Sequence, residues 1–120
     1  MSKVISIHEY VLHPGVDAHQ CENALRLAQE RGLLHLPGLV AYHFVKGIKG
    51  ARQEQYTAIW IYESRQAWEA LWGTVEQPRR KQEYPAHWLV WEDDILAPLL
   101  TQEPDRITFT AYEELLSAGR

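Results

Sequence analysis

The sequence predicts an α+β fold: strand, helix, two strands, helix and strand around a four-stranded antiparallel sheet, with an extra helix in the C-terminal half. Segments rich in β-branched and aromatic residues stand at both ends of the chain and as an adjacent pair in its middle. Amphipathic stretches with helix caps separate them, and Pro/Gly clusters punctuate the joins. The chain has 120 residues, enough to bury roughly two-thirds of its unfolded surface around one core. It therefore reads as a single domain spanning residues 1–120.

From Val4 to Leu12, the residues Val4, Ile5, Ile7 and Val11 mark a first strand, which His13-Pro14-Gly15 stops. Two-residue alternation sets Ile5, Ile7, Glu9 and Val11 on one face and Ser6, His8 and Tyr10 on the other. Asp17 is placed to cap a helix over Ala18 to Arg31, with Cys21, Ala24, Leu25 and Ala28 at helical spacing and Gly32 as the stop. Leu39 to Val45 and Tyr56 to Tyr62 follow as two adjacent antiparallel strands. The polar Lys46 to Gln55 stretch, with Gly47 and Gly50, is their hairpin loop.

Ser64 caps a second helix containing Ala67, Trp68, Leu71 and Trp72, and Gly73 ends it. Beyond Pro78 and Pro85, a third helical run carries His87, Trp88, Trp91, Ile95 and Leu99, with Pro98 disturbing its last turn. Past Glu103-Pro104-Asp105, Ile107, Phe109 and Ala111 alternate with Thr108, Thr110 and Tyr112 as the final strand. Two such helices cover one face of the sheet. The second face, to which this reading assigns Tyr10, stays open unless a partner covers it, so a homodimer is expected.

Hydrophobic residues make up 46% and charged residues 23% of the chain, which argues for a packed core. The net charge is -4, and the one basic cluster, Arg79-Arg80-Lys81, is flanked by Glu76 and Glu83, so no nucleic-acid partner is expected. Cys21 is the only cysteine. That rules out an intrachain disulfide or a CxxC zinc site, favours a buried apolar role for the thiol, and suits a reducing compartment. The first ten residues carry charge too early for a signal peptide, and no long apolar run offers a membrane span. A cytoplasmic location without membrane attachment is the expectation.

Several local features resemble one family: His13-Pro14-Gly15 after the first strand, Leu36-Pro37-Gly38 before the second, Trp60-Ile61-Tyr62-Glu63-Ser64-Arg65-Gln66-Ala67-Trp68, and Ala97-Pro98-Leu99-Leu100. Over Val4 to Glu113 this punctuation is similar to that of the dimeric α/β-barrel superfamily, most closely its antibiotic-biosynthesis-monooxygenase-like branch. The resemblance implies a ferredoxin-like fold, a homodimer and a pocket for a small aromatic or apolar molecule. Relatives include cofactor-free monooxygenases acting on aromatic polyketides, haem-degrading enzymes, small-molecule isomerases and proteins of no known activity. It therefore implies a cofactor-independent monooxygenase, with a haem-binding or haem-degrading protein and a non-catalytic structural or regulatory dimer as alternatives. Haem-degrading members use an Asn on the first strand, a Trp on the helix after the third strand and a His further along. Here His8 or Glu9 stands at the first position, Trp68 or Trp72 at the second, with Leu71 the best local match, and His87 in the region of the third.

His8, His43 and His87 lie in structured segments with aromatic neighbours. Each suits a general base, a haem ligand or a metal ligand, but a histidine hydrogen-bonded in a core or dimer interface is the reading favoured for any one of them. No HxH or HExxH spacing occurs, so no metal site is expected. Glu9 shares its strand face with isoleucines, where a carboxylate must be bonded, near water or raised in pKa. It is either a functional group or one half of a salt bridge with Arg26, Arg31 or Arg65.

Five tryptophans in one short chain is unusual. Trp60, Tyr62, Trp68, Trp72 and Trp91, joined by Trp88, suit the walls of a pocket for a flat ligand, or a large core. Cofactor-free oxygenation needs a dry aromatic pocket and a base, since the substrate anion itself supplies electrons to oxygen; Glu9, His43 and His87 are the candidate bases. No nucleophile elbow or phosphate-binding loop is present, and Gly47-Ile48-Lys49-Gly50 lacks the rest of one.

Overall fold

The computed structural model describes residues 2–119. Strand β1 (Val4–Tyr10), helix α1 (Ala18–Glu30), strands β2 (Leu39–Lys46) and β3 (Tyr56–Tyr62), helix α2 (Arg65–Trp72), helix α3 (Ala86–Val90) and strand β4 (Thr108–Glu113) follow in that order. The four strands form one sheet in the order β2-β3-β1-β4, with every neighbouring pair antiparallel. This is the α+β architecture that the sequence predicts, with α3 as the extra helix.

The helix starts follow from their caps. The Asp17 carboxylate accepts from the Gln20 N–H at 2.8 Å while the Gln20 side chain accepts from the Asp17 N–H at 3.0 Å, a reciprocal capping box. The Ser64 hydroxyl accepts from the Ala67 N–H at 3.1 Å. Helix α2 ends at Gly73, whose φ of 84° lies in the left-handed region that a side chain would disfavour.

Beyond Val90, α3 widens into a π-helical turn, Trp91–Leu96, and then tightens into a 3-10 turn, Ala97–Leu99. The Ala97 N–H bonds to the Glu92 carbonyl, five residues back. Pro98 has no N–H to continue the regular ladder and its ring crowds the carbonyl four residues earlier, which accounts for irregular winding just ahead of it.

All three helices pack on one face of the sheet. That face presents Val4, Ser6, Tyr10, Tyr56, Ala58, Trp60 and Tyr62, all buried, against Cys21, Leu25 and Ala28 of α1, Leu71 of α2, and Trp88, Trp91, Ile95 and Leu96. Trp60 and Trp91 are completely buried, and the Trp60 ring meets Trp88 edge-on at 5.1 Å. Cys21 is buried here as an apolar residue.

The assignment of Tyr10 to the open face is corrected. Tyr10 is in phase with Val4, Ser6 and His8 and points into the core, with 2% of its surface exposed. The open face instead carries Ile5 opposite Ile61 and Ile7 opposite Ile59, with Tyr112 opposite Ile5. Strand alternation fixes this phase, because the buried residues of β3 recur at every second position from Tyr56 to Tyr62. No helix among the described residues is long and apolar enough to cross a membrane.

Candidate functional site: an aromatic cleft between sheet and helices

A cleft of about 130 Å³ opens between the helix-facing side of the sheet and the C-terminal half of the chain. Strand β1 contributes Ser6 and His8, β3 contributes Tyr62, and β4 with its approach contributes Phe109 and Ile107. Trp68 and Trp72 come from α2, Trp88 from α3, and Glu92 from the π-helical turn. Tyr84, Pro104 and Asp105 complete the rim.

The rings brace one another. Trp72 meets Tyr84 edge-on at 5.0 Å and Trp88 at a tilt at 5.4 Å, and its indole N–H donates to the Tyr62 hydroxyl at 3.2 Å. His8 meets Phe109 edge-on at 5.8 Å and shares a 3.1 Å hydrogen bond with the Ser6 hydroxyl. Such mutually packed aromatic edges and faces make a rigid, largely apolar receptor for a flat group.

Two ionisable groups in this lining are held away from their ordinary states. Burial lowers His8 to about 4, so its imidazole is neutral at pH 7. Glu92 is only 7% exposed, and its Oε1 has no hydrogen-bond partner among the described residues. Burial, reinforced by the nearby Asp105 carboxylate, pushes it up to about 7. Burial likewise raises Tyr62 and Tyr84 above the usual phenol range. The cleft therefore holds a neutral imidazole and a carboxyl group poised between its two protonation states, both surrounded by aromatic rings.

Of the expected pocket residues, Tyr62, Trp68 and Trp72 line this cleft, while Trp60 and Trp91 stand in the core behind it. Glu9, His43 and His87 are not brought together and none of them lines the cleft, whereas His8, the other histidine singled out in the sequence, does. Glu9 is one residue out of phase with His8 and so faces the open side of the sheet, where its carboxylate lies 3.6 Å from Arg52 Nε. Its partner is thus Arg52 of the hairpin loop, in place of Arg26, Arg31 or Arg65. His43 pairs with Ile59 on the same open face. His87 turns away to the backbone carbonyl of His35. No three His, Cys, Asp or Glu residues gather as a metal-holding group among the described residues.

Glu92 is the residue that sequence reasoning missed, and a signal for it existed. It falls one turn after Trp88 and next to Trp91, so a carboxylate sits on the tryptophan face of the third helix. Asp105 carried no comparable signal, because an acidic residue after a proline reads as turn chemistry.

No family model matches the chain, and no curated protein does. Among solved structures it is similar to a candidate antibiotic biosynthesis monooxygenase from Bordetella bronchiseptica, with TM-score 0.65, 11% identity, and 97% of this chain and 100% of that chain covered. It is similar also to a cofactor-independent oxygenase from Streptomyces nogalater, with TM-score 0.64, 11% identity and full coverage of both chains. A haem-degrading protein from Mycobacterium tuberculosis matches with TM-score 0.52, 13% identity, and 99% of this chain and 98% of that chain covered. At these identities the likeness shows the fold: the chain has the ferredoxin-like fold of antibiotic-biosynthesis-monooxygenase-like proteins.

Proposed function

We propose that the protein binds a small aromatic molecule in the cleft between sheet and helices and oxidises it with dioxygen, without a bound cofactor. The observation that carries this reading is the lining itself, in which Tyr62, Trp68, Trp72, Tyr84, Trp88 and Phe109 surround a volume of about 130 Å³. An engineered apolar cavity of roughly this size holds one benzene ring. A single-ring or similarly slim substrate fits within this half-open cleft, whereas most of a haem macrocycle would stand outside it. The fold likeness to a cofactor-independent oxygenase agrees with this choice.

In such chemistry the protein orients the ring, excludes water and accepts a proton, while the deprotonated substrate reduces dioxygen with its own electrons. Oxygen uptake with a panel of one-ring phenols and hydroquinones tests the proposal. Uptake that saturates with substrate and falls at least tenfold in Trp68→Ala is the expected result. No uptake with any of them, together with a Soret band on titration with hemin, would favour the haem-binding alternative and overturn this one.

The working unit in this reading is a homodimer. Ile5, Ile7, Ile59 and Ile61 form a continuous apolar patch on the uncovered face of the sheet. Beyond β4, Leu115 and Leu116 are 85% and 93% exposed. A second copy of the chain, packed sheet to sheet, would cover both features.

A further inference from the structure

We infer that Glu92 accepts the hydroxyl proton of the bound ring, so that the ligands of this cleft are neutral aromatic molecules carrying an ionisable O–H. The inference rests on the reading of the cleft as an aromatic pocket and adds the group within it that recognises the ligand. Glu92 lines the cleft, is more than nine-tenths buried, and keeps its Oε1 unpartnered among the described residues. A buried acceptor without a donor is costly, and a ligand hydroxyl placed there removes that cost.

The Trp88 indole donates a side-chain hydrogen bond to the Glu92 carboxyl group, and the rest of the surroundings leave Oε1 open to a ligand. Lys81 is the nearby cation, and its Nζ lies 2.6 Å from Asp93 Oδ1, committed to that carboxylate. Asp105 and Asp93 add negative charge, His8 is neutral, and the phenols of Tyr10, Tyr62 and Tyr84 are all held protonated. The backbone at Glu92 is fixed by the π-helical turn, a form of winding often found at functional sites. The step is a simple transfer. The ligand O–H bond breaks, a carboxyl O–H forms on Glu92, and the electron pair stays on the ligand oxygen as a phenolate or enolate. Raised towards neutrality, the carboxylate is a stronger base than an ordinary one and better matched to a phenol.

The test compares 3-nitrophenol with 3-nitroanisole, its O-methyl ether, by quenching of tryptophan fluorescence from pH 6 to pH 8. Only ionised Glu92 accepts the proton. With Glu92 at about 7, affinity for 3-nitrophenol should therefore rise about tenfold across that range as the competent fraction grows. Affinity for 3-nitroanisole should stay flat and at least tenfold weaker at pH 8. Glu92→Gln, close in shape, should erase both the rise and the preference while still binding both probes. Equal affinity for the two probes in the wild-type protein, or affinity for the phenol that falls as pH rises, would overturn the inference and leave the pocket intact. Absence of saturable quenching by either probe would overturn the pocket reading and this inference with it.

Discussion

Trp72 and Tyr62 are joined by a hydrogen bond, the indole N–H donating to the phenol oxygen at 3.2 Å, and this bond ties α2 to β3 at the back of the cleft. Trp72→Phe keeps an aromatic ring against Tyr84 and Trp88 but removes the donor. A net hydrogen bond contributes about 1 kcal/mol. The variant should unfold at a lower urea concentration by that margin with an unchanged denaturant slope, and should bind aromatic probes more weakly.

The pH dependence of stability should show two opposed groups. Glu92 is raised from 4.5 to about 7, so the folded state holds its proton more tightly and stability falls as pH rises through that window. His8 is lowered from 6.5 to about 4, so stability falls as pH drops through that window. Between about 4.5 and 6.5 the two slopes cancel. Glu92→Gln should therefore match the wild-type protein near pH 4 and exceed it at pH 8 by up to about 3 kcal/mol. Its stability should climb between those limits under the influence of His8. Urea titrations at several pH values check both statements.

The isoleucine patch gives the proposed dimer its own test. Ile7 and Ile59 are in register on the open face, so Ile7→Lys would place a charge in the middle of the proposed sheet-to-sheet contact without touching the helix-facing core. Dissociation should become at least roughly a hundredfold easier, equivalent to about 3 kcal/mol. Sedimentation equilibrium should then find a monomer at micromolar concentration with unchanged far-ultraviolet dichroism.

The β2–β3 loop has no room for a side chain at Gly47. A Cβ there would lie 2.0 Å from the Arg52 carbonyl oxygen, while one at Gly15 would meet nothing within 4 Å. Arg52 in turn donates to the Tyr56 carbonyl at 2.6 Å and to the Tyr10 carbonyl at 3.3 Å, fastening the loop to β1 and β3. Gly47→Ala should cost about 2 kcal/mol through the shift it forces, and Gly15→Ala should be close to neutral. Thermal melts of the two variants distinguish them.

Much of this fold is legible in the sequence because its signals are local. Asp17 and Ser64 cap where their side chains reach the next backbone N–H groups, and alternation along Tyr56 to Tyr62 separates the two faces of β3. Which face meets the helices is not a local property. Tyr10 and Glu9 both sit on a strand with apolar residues in each phase, and only the packing of α1, α2 and α3 decides between them. The site followed the same pattern: the tryptophans on α2 were visible as a cluster, whereas Glu92, although set on the tryptophan face of the third helix, enters the cleft only through the packing of that helix against the sheet. His87 and His43 have suitable chemistry, but the fold turns them towards a backbone carbonyl and the open face.

The most direct test of the account is an equilibrium titration of the wild-type protein with 3-nitrophenol at pH 8, followed by tryptophan fluorescence, because Trp68, Trp72 and Trp88 all line the cleft. Saturable quenching with one probe bound per chain, weakened at least tenfold in Trp68→Ala, is the predicted result. Quenching that grows linearly without saturation, or that is unaffected by Trp68→Ala, would contradict an aromatic-binding cleft between this sheet and its helices.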